Sequence, residues 1–415
     1  MNPLEKAYRA YRQGVSNPHS DFYRNLYGPL VLQTEFPSSP GEWERVPFLT
    51  KRDILRVPYH KRIFVPKEEV VDIRLTSGTS SIGMLCLPRA ALRERDFETA
   101  LGRGKSSMTF LYLTHHSSYI RRNAGAFRPL VAADRMNLPA SAHLAAQMNV
   151  DSIFGAASIL ISFAPYLQQY KHAEKILVLE LGLERYTSLQ LQTLGKFYPN
   201  ADIRFNYVQA ESAGVIGLSP EVPVPGHPYA IELRKDLYYI EIVDNNGVVL
   251  PENADGEIVT TTLSENRAFP LIRYRTGDAA RMFSHEGKSF FEILGRAADD
   301  HIAISGGRLI HAELEKAVTL VAGDAVVDFE AEVVEVIHNN IPLPKLSITL
   351  FTLGITEKLS AQYLAENIAK ELRVSQKNFY ADGVRLGMYA PLSCTVSALQ
   401  STFDQKRRHL VDRRT

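Results

Sequence analysis

Cysteine is nearly missing. The 415 residues hold two, Cys86 and Cys394, too few and too far apart for a thiolate zinc site or a disulfide framework, and that usage fits a reducing cytoplasm. An excess of either charge is missing as well. Lys plus Arg number 47 against 46 for Asp plus Glu, a formal net charge of +1, so no whole-chain field argues for nucleic acid or an anionic membrane as a partner. No run of about eighteen uncharged apolar residues occurs, the length a membrane-spanning helix needs. Met1 to Tyr11 carry Glu5, Lys6 and Arg9 where a signal peptide requires an apolar stretch. The expectation is a cytoplasmic chain without signal peptide or membrane span. What is present is ordinary: 45% apolar and 22% charged residues describe a folded globular protein. At roughly 150 residues per domain the length suggests two or three domains.

The texture of the chain changes along its length. Residues 1 to 66 alternate short helical patterns with turn-rich stretches such as Pro37-Ser38-Ser39-Pro40-Gly41, a layout suited to wrapping a larger body. Val70 to Leu75 reads as a strand. From about 88 to 210, helical patterns over Pro88 to Leu101, Phe163 to Lys171 and Tyr186 to Phe197 alternate with apolar runs such as Ile176-Leu177-Val178-Leu179. That alternation predicts a parallel sheet covered by helices. Between 228 and 295 the period becomes two, as in Tyr239 to Val243 and Glu257 to Leu263. The turn Asp244-Asn245-Asn246-Gly247 predicts a hairpin back through Val248 to Leu250, within a small antiparallel sheet or barrel. After Arg296 comes another α/β texture, with strands over Phe329 to Ile337 and Leu346 to Phe351. A helix over Glu357 to Leu372 follows, its apolar face formed by Leu359, Tyr363, Leu364, Ile368 and Leu372. Gly295, Gly306 and Gly307 place a domain boundary near 296 to 306.

Four stretches carry chemistry. Thr76-Ser77-Gly78-Thr79-Ser80-Ser81-Ile82-Gly83 offers small residues, hydroxyls and exposed N–H groups suited to a phosphate, and equally suited to a surface turn. Asn206-Tyr207-Val208-Gln209-Ala210-Glu211 follows an apparent strand into Phe205. Arg273-Tyr274-Arg275-Thr276-Gly277-Asp278 and then Gly295-Arg296 with Asp299-Asp300 come after it. Near the end, Lys406-Arg407-Arg408 and Arg413-Arg414 also describe a solvated basic tail. No aromatic platform or recognition motif accompanies that charge run, so nucleic-acid binding carries little weight.

In this order the stretches resemble the adenylate-forming (acyl-CoA synthetase-like) superfamily, most closely its phenylacetate-CoA ligase-like branch. The resemblance extends over the whole chain. Pro47-Phe48-Leu49-Thr50-Lys51-Arg52-Asp53-Ile54 is similar to the segment that opens that branch, Gly256 to Leu263 to its strand before the Tyr-Arg-Thr-Gly-Asp motif, and Lys406 with Val411-Asp412-Arg413-Arg414 to its C-terminal lysine segment. The resemblance implies an α/β fold with a large N-terminal body over 1–298, which includes the small antiparallel part, and a small mobile α+β domain over 299–415. Ser77, Gly78, Thr79 and Ser80 would hold the β- and γ-phosphates of ATP. Glu211 would bind Mg²⁺, a hard cation that takes carboxylate oxygen. Tyr207 would lie near adenine or the acyl group, Asp278 would accept hydrogen bonds from the ribose hydroxyls, and Arg296 would contact ribose or phosphate. Asp299 would be the hinge, on an alignment that requires one extra residue at Ala297 or Ala298. Lys406 would be the catalytic lysine, offsetting charge at the α-phosphate as a substrate carboxylate attacks it.

The implied reaction joins a small-molecule carboxylic acid, aryl or arylacetic, to a thiol by way of an acyl-adenylate. The thiol belongs to coenzyme A or to the phosphopantetheine of an acyl carrier protein. Oligomeric state is not encoded in any readable pattern. The chain departs from the family at Ser81, Gly83, Met84, Val208, Ala210 and Gln405. Ala210 has no side-chain donor where the family has a hydroxyl, a loss on the order of 1–3 kcal/mol. These departures motivate an alternative from another class: a nucleotide- or acyl-binding module without turnover.

Overall fold

The computed structural model describes residues 2–28, 30, 36–75, 86–90, 110–114, 130–134, 137–182, 186–209, 211–212, 214–220, 222–263, 268–296, 301–304, 307–338, 341–353, 360–375, 378–399 and 409–414. The chain divides into two compact units, each discontinuous in sequence: Met1–Ser106 with Arg204–Ala297, and Ser107–Ile203 with Ala298–Thr415.

Among the described residues of the first unit, four short α-helices precede the strands. Pro3–Val15 begins at a capping box in which the Asn2 side chain accepts from the backbone and Glu5 returns a bond to Asn2. Lys51–Arg56 begins at another, between Thr50 and Asp53. Their apolar faces, joined by Phe64, form an aromatic core of Tyr11, Phe22, Tyr23, Tyr27 and Trp43 against Phe269, Leu271, Ile272 and Tyr274. The N-terminal stretch therefore wraps the body through one continuous core. Burial of this kind raises the Tyr23 and Tyr27 hydroxyls far above the ordinary tyrosine range.

Seven strands of this unit pair antiparallel in the spatial order Tyr238–Val243, Asp255–Thr262, Tyr274–His285, Lys288–Arg296, Ile231–Leu233, Gly214–Leu218 and Asp202–Gln209. The antiparallel part thus begins before residue 228. The Asn-Gly turn forms, with Gly247 at φ +85° and the Asp244 carboxylate accepting from Asn246 N and Val248 N. The returning segment makes only a bridge, Val249 to Val243, and the full partner of Tyr238–Val243 is Asp255–Thr262.

Val70–Leu75 pairs antiparallel with Cys86–Ala90, in a register that sets Ile73 opposite Pro88. The predicted helix over Pro88 to Leu101 is therefore strand at its start, and its remainder lies outside the described residues. A two-stranded ribbon has an edge on which proline is tolerated.

In the second unit, Val178–Leu181, Ser152–Gly155, Phe110–Thr114 and Leu130–Asp134 lie side by side and parallel, with helices Leu138–Gln147, Ala157–Gln169 and Ser188–Phe197 between or after them in sequence. Every residue of Ser152–Gly155 and Val178–Leu181 is buried, as parallel strands covered on both faces must be. The predicted alternation is thus present, with the middle helix starting six residues earlier than its apolar pattern suggested.

The C-terminal portion of this unit holds a long hairpin, Asp328–His338 with Ile341–Thr352. It is flanked by Ser393–Ala398 and Val411–Asp412, which both pair parallel. Helix Ala361–Glu371 packs Leu364 and Ile368 into this core, joined by Leu372 just past its end, whereas Tyr363 is 61% exposed. One residue of a helix turns the side chain by about 100°, which takes Tyr363 off the buried stripe.

Leu189 of Ser188–Phe197 belongs to the same core, and next to it the Gln190 amide Nε2 donates to Asp328 Oδ2 at 3.0 Å. The His409 ring Nε2 lies 3.1 Å from Asp328 Oδ1, so a fully buried carboxylate ties helix, strand and chain end together. Among the described residues no helix is long and apolar enough to cross a membrane.

Candidate active site

Strand Asp202–Gln209 alternates, burying Phe205, Tyr207 and Gln209 on one face. It runs four residues past Phe205, so Glu211 stands two residues beyond its end, in the turn before Gly214–Leu218. Tyr207 is 8% exposed, and its ring meets Phe291 edge-on at 5.5 Å. The close approach depends on Gly217, opposite Tyr207, because a Cβ there would stand 3.0 Å from the Phe291 ring and 2.9 Å from Glu232 O.

The second motif is built by local bonds. The strand register shifts between Glu257 and Val259, a bulge at which Gly277 takes φ +73°. Arg275 pairs with Glu257 Oε2 at 2.5 Å, and the other oxygen of Glu257 accepts from Gly277 N at 3.0 Å. Thr276 Oγ1 donates to Ile258 O at 2.9 Å and accepts from Asp278 N at 3.0 Å. Arginine, threonine and glycine each serve to present Asp278 at a bend in the ladder. The Pro47 to Ile54 segment steadies the same strand: Leu49 N donates to Arg273 O and Arg275 N donates to Leu49 O, both at 2.9 Å.

The two motifs meet at Asp278. Tyr207 OH donates to Asp278 Oδ2 at 2.7 Å, and Gln209 Nε2 donates to the same oxygen at 3.0 Å and to the Tyr207 hydroxyl at 2.6 Å. Arg296 is the register partner of Asp278 on the neighbouring strand, so its backbone is beside the same carboxylate-bearing residue. Glu211 is half-buried in a braced turn, where Ser212 Oγ donates to Gln209 O and Tyr238 OH donates to Ser212 O, each at 3.1 Å. Ser77, Gly78, Thr79, Ser80, Asp299 and Lys406 lie outside the described residues. Among the described residues no group of three or more His, Cys, Asp or Glu could hold a metal. A single carboxylate such as Glu211 suits Mg²⁺, which takes most of its ligands from phosphates and water.

Sequence reading missed two residues. Gln209 stands two positions from Tyr207, so period-two alternation could have placed it beside that side chain. Arg273 opens the second motif and is 1% exposed, clasping Glu241 through Nε at 3.2 Å and Nη2 at 2.9 Å. No local signal distinguishes it from Arg275 two residues on, whose side chain is 28% exposed.

No family model matches the chain. The phenylacetate-coenzyme A ligase of Aromatoleum evansii is 39% identical over 338 residues, covering 75% of this chain and 73% of that protein. A protein of the same name from Pseudomonas putida is 36% identical over 88 residues, 20% of each chain. Among solved structures, 2-hydroxyisobutyryl-CoA ligase in the postadenylation state in complex with 2-HIB-AMP superimposes with a TM-score of 0.75 at 17% identity, over 99% of this chain and 88% of that one. The acyl acid amido synthetase AtGH3.15 in complex with 2,4-DB gives a TM-score of 0.68 at 14% identity, over 96% and 87%. The chain belongs to the phenylacetate-coenzyme A ligase family and has the fold of the adenylate-forming enzymes.

Proposed function

We propose that the chain is an AMP-forming acid–thiol ligase acting on an aryl or arylacetic acid. The observation that carries this reading is the meeting of Asn206–Glu211 with Arg273–Asp278 through Tyr207, Gln209 and Asp278, in a chain of this family. In the first step a carboxylate oxygen of the acid bonds to the α-phosphorus of ATP, and the bond from that phosphorus to the bridging oxygen breaks, releasing pyrophosphate. In the second a thiolate sulfur bonds to the acyl carbon, AMP departs with the mixed-anhydride oxygen, and the thioester remains.

Asp278 takes the ribose hydroxyls, as an ionised carboxylate can accept from both. Arg296 supplies a fixed cation to ribose or phosphate, and Tyr207 borders the adenine or acyl group. Ser77, Gly78, Thr79 and Ser80 hold the β- and γ-phosphates. Glu211 holds Mg²⁺, which when bound neutralises phosphate charge. Lys406 brings an ammonium to the charge that gathers around the α-phosphorus. Residues 299–415 act as the small mobile domain, turning about Asp299 between the two steps.

The names of the relatives favour coenzyme A as the thiol. An acyl carrier protein presents the same pantetheine arm and is the alternative acceptor. The chain works in the cytoplasm, where its two cysteines stay reduced. The test is acid-dependent exchange of labelled pyrophosphate into ATP across a panel of aryl and arylacetic acids. Exchange is expected with at least one acid, abolished in Asp278→Ala and strongly reduced in Lys406→Ala. ATP binding without exchange for any acid would replace the ligase with a non-catalytic nucleotide-binding module.

A further inference from the structure

Gln209 is a buried amide whose two ends are treated differently. Its Nε2 donates to Asp278 Oδ2 at 3.0 Å and to the Tyr207 hydroxyl at 2.6 Å, whereas its Oε1 is buried with no hydrogen-bond partner among the described residues. An unsatisfied buried acceptor costs stability and calls for a reason. The opposite amide orientation would set Oε1 against the carboxylate of Asp278 and would leave Nε2 as the buried orphan, so the donor faces inward. A methionine or leucine would fill the same space with no orphaned atom. The backbone of Gln209 is held too, by Ser212 Oγ on its carbonyl and Tyr238 OH on the carbonyl of Ser212.

We infer that Gln209 is a positioning residue: with Tyr207 it clamps one oxygen of Asp278 and sets the carboxylate plane that meets the ribose. The inference rests on the reading of Asp278 as the ribose acceptor. Two donors on a single oxygen leave the carboxylate little freedom to rotate about its Cβ–Cγ bond. The same clamp ties Asp278 to the turn carrying Glu211, so ribose and metal ligands keep a constant separation. Pre-orientation of this sort acts on the nucleotide through hydroxyls that either are or are not there. It therefore has a signature that mere loss of stability lacks.

The experiment measures pyrophosphate exchange with ATP, 2′-deoxy-ATP and 3′-deoxy-ATP in the full-length wild type, Gln209→Met and Tyr207→Phe. The wild type is expected to favour ATP over at least one deoxy analogue by about tenfold or more, the size of one hydrogen bond to a charged group. In Gln209→Met the KM for ATP should rise and that preference fall at least about fivefold, while the deoxy substrate that wild type discriminates against is used almost as in wild type. Tyr207→Phe keeps the ring against Phe291, removes the hydroxyl donor and should weaken the preference in the same direction, so the clamp stays testable if Gln209→Met does not fold. An unchanged preference in the folded variants overturns the role of Gln209 and leaves the ligase reading standing. A wild type that uses ATP and both analogues equally overturns the ribose role of Asp278, and the clamp with it.

Discussion

Replacing Arg273 by methionine tests whether the first arginine of the second motif is structural. Its guanidinium is buried between Phe48, 4.2 Å from its ring centre, and Trp43, 5.8 Å away. Besides clasping Glu241, its Nη1 donates to the carbonyls of Trp43, Glu44 and Val46 at 3.2, 2.9 and 2.7 Å. Removing one partner of such a buried pair costs about 3–5 kcal/mol, and each carbonyl left without water adds roughly 1 kcal/mol.

The pH dependence has a definite sign. Burial holds the Glu241 carboxyl above the usual carboxylate range even with Arg273 beside it, and losing the cation raises it further. A carboxyl raised in the folded state contributes stability below its unfolded value, and that contribution is lost as pH rises through the folded value. The deficit of Arg273→Met should therefore grow between pH 5.5 and 7.5. Trp43 is the single tryptophan, so its emission during urea unfolding reports on the core in question. The double variant with Glu241→Leu should recover most of the loss. A deficit below about 1 kcal/mol at pH 7.5, or one equal at both pH values, would refute the reasoning.

Three other outcomes are expected. Wild-type exchange of pyrophosphate that survives Asp278→Ala undiminished would remove the proposed nucleotide site. Asp328→Ala strands Gln190 and His409 around a missing carboxylate and should destabilise the second unit by about 3–5 kcal/mol, read as faster amide exchange over Ser188–Phe197. Exchange no faster there than in wild type would mean that the buried carboxylate holds nothing in place. Burial pushes the Cys394 thiol up to about 12. At pH 8 roughly one part in ten thousand is thiolate, so in Cys86→Ser the native protein should resist iodoacetamide for hours and label fully in urea. Rapid native labelling would show that strand Ser393–Ala398 opens easily.

Much of the architecture was legible because its signals are local. The alternating βα texture and the Asn-Gly turn each depend on neighbours a few residues apart. The Tyr274 to Asp278 motif is also largely local, since Gly277 supplies the backbone bend and Thr276 bonds Asp278 N directly. Tertiary structure decided the rest. It made strand of Pro88 by giving it Ile73 as a partner, and ended the hairpin after Leu250 in favour of Asp255–Thr262. It brought Gln209 to Asp278 across 69 residues, and Gln190 to Asp328 across 138. Periodicity and turn chemistry are written into adjacent residues, whereas a buried polar contact exists only once packing has removed water from both ends, and no short stretch of sequence carries that information.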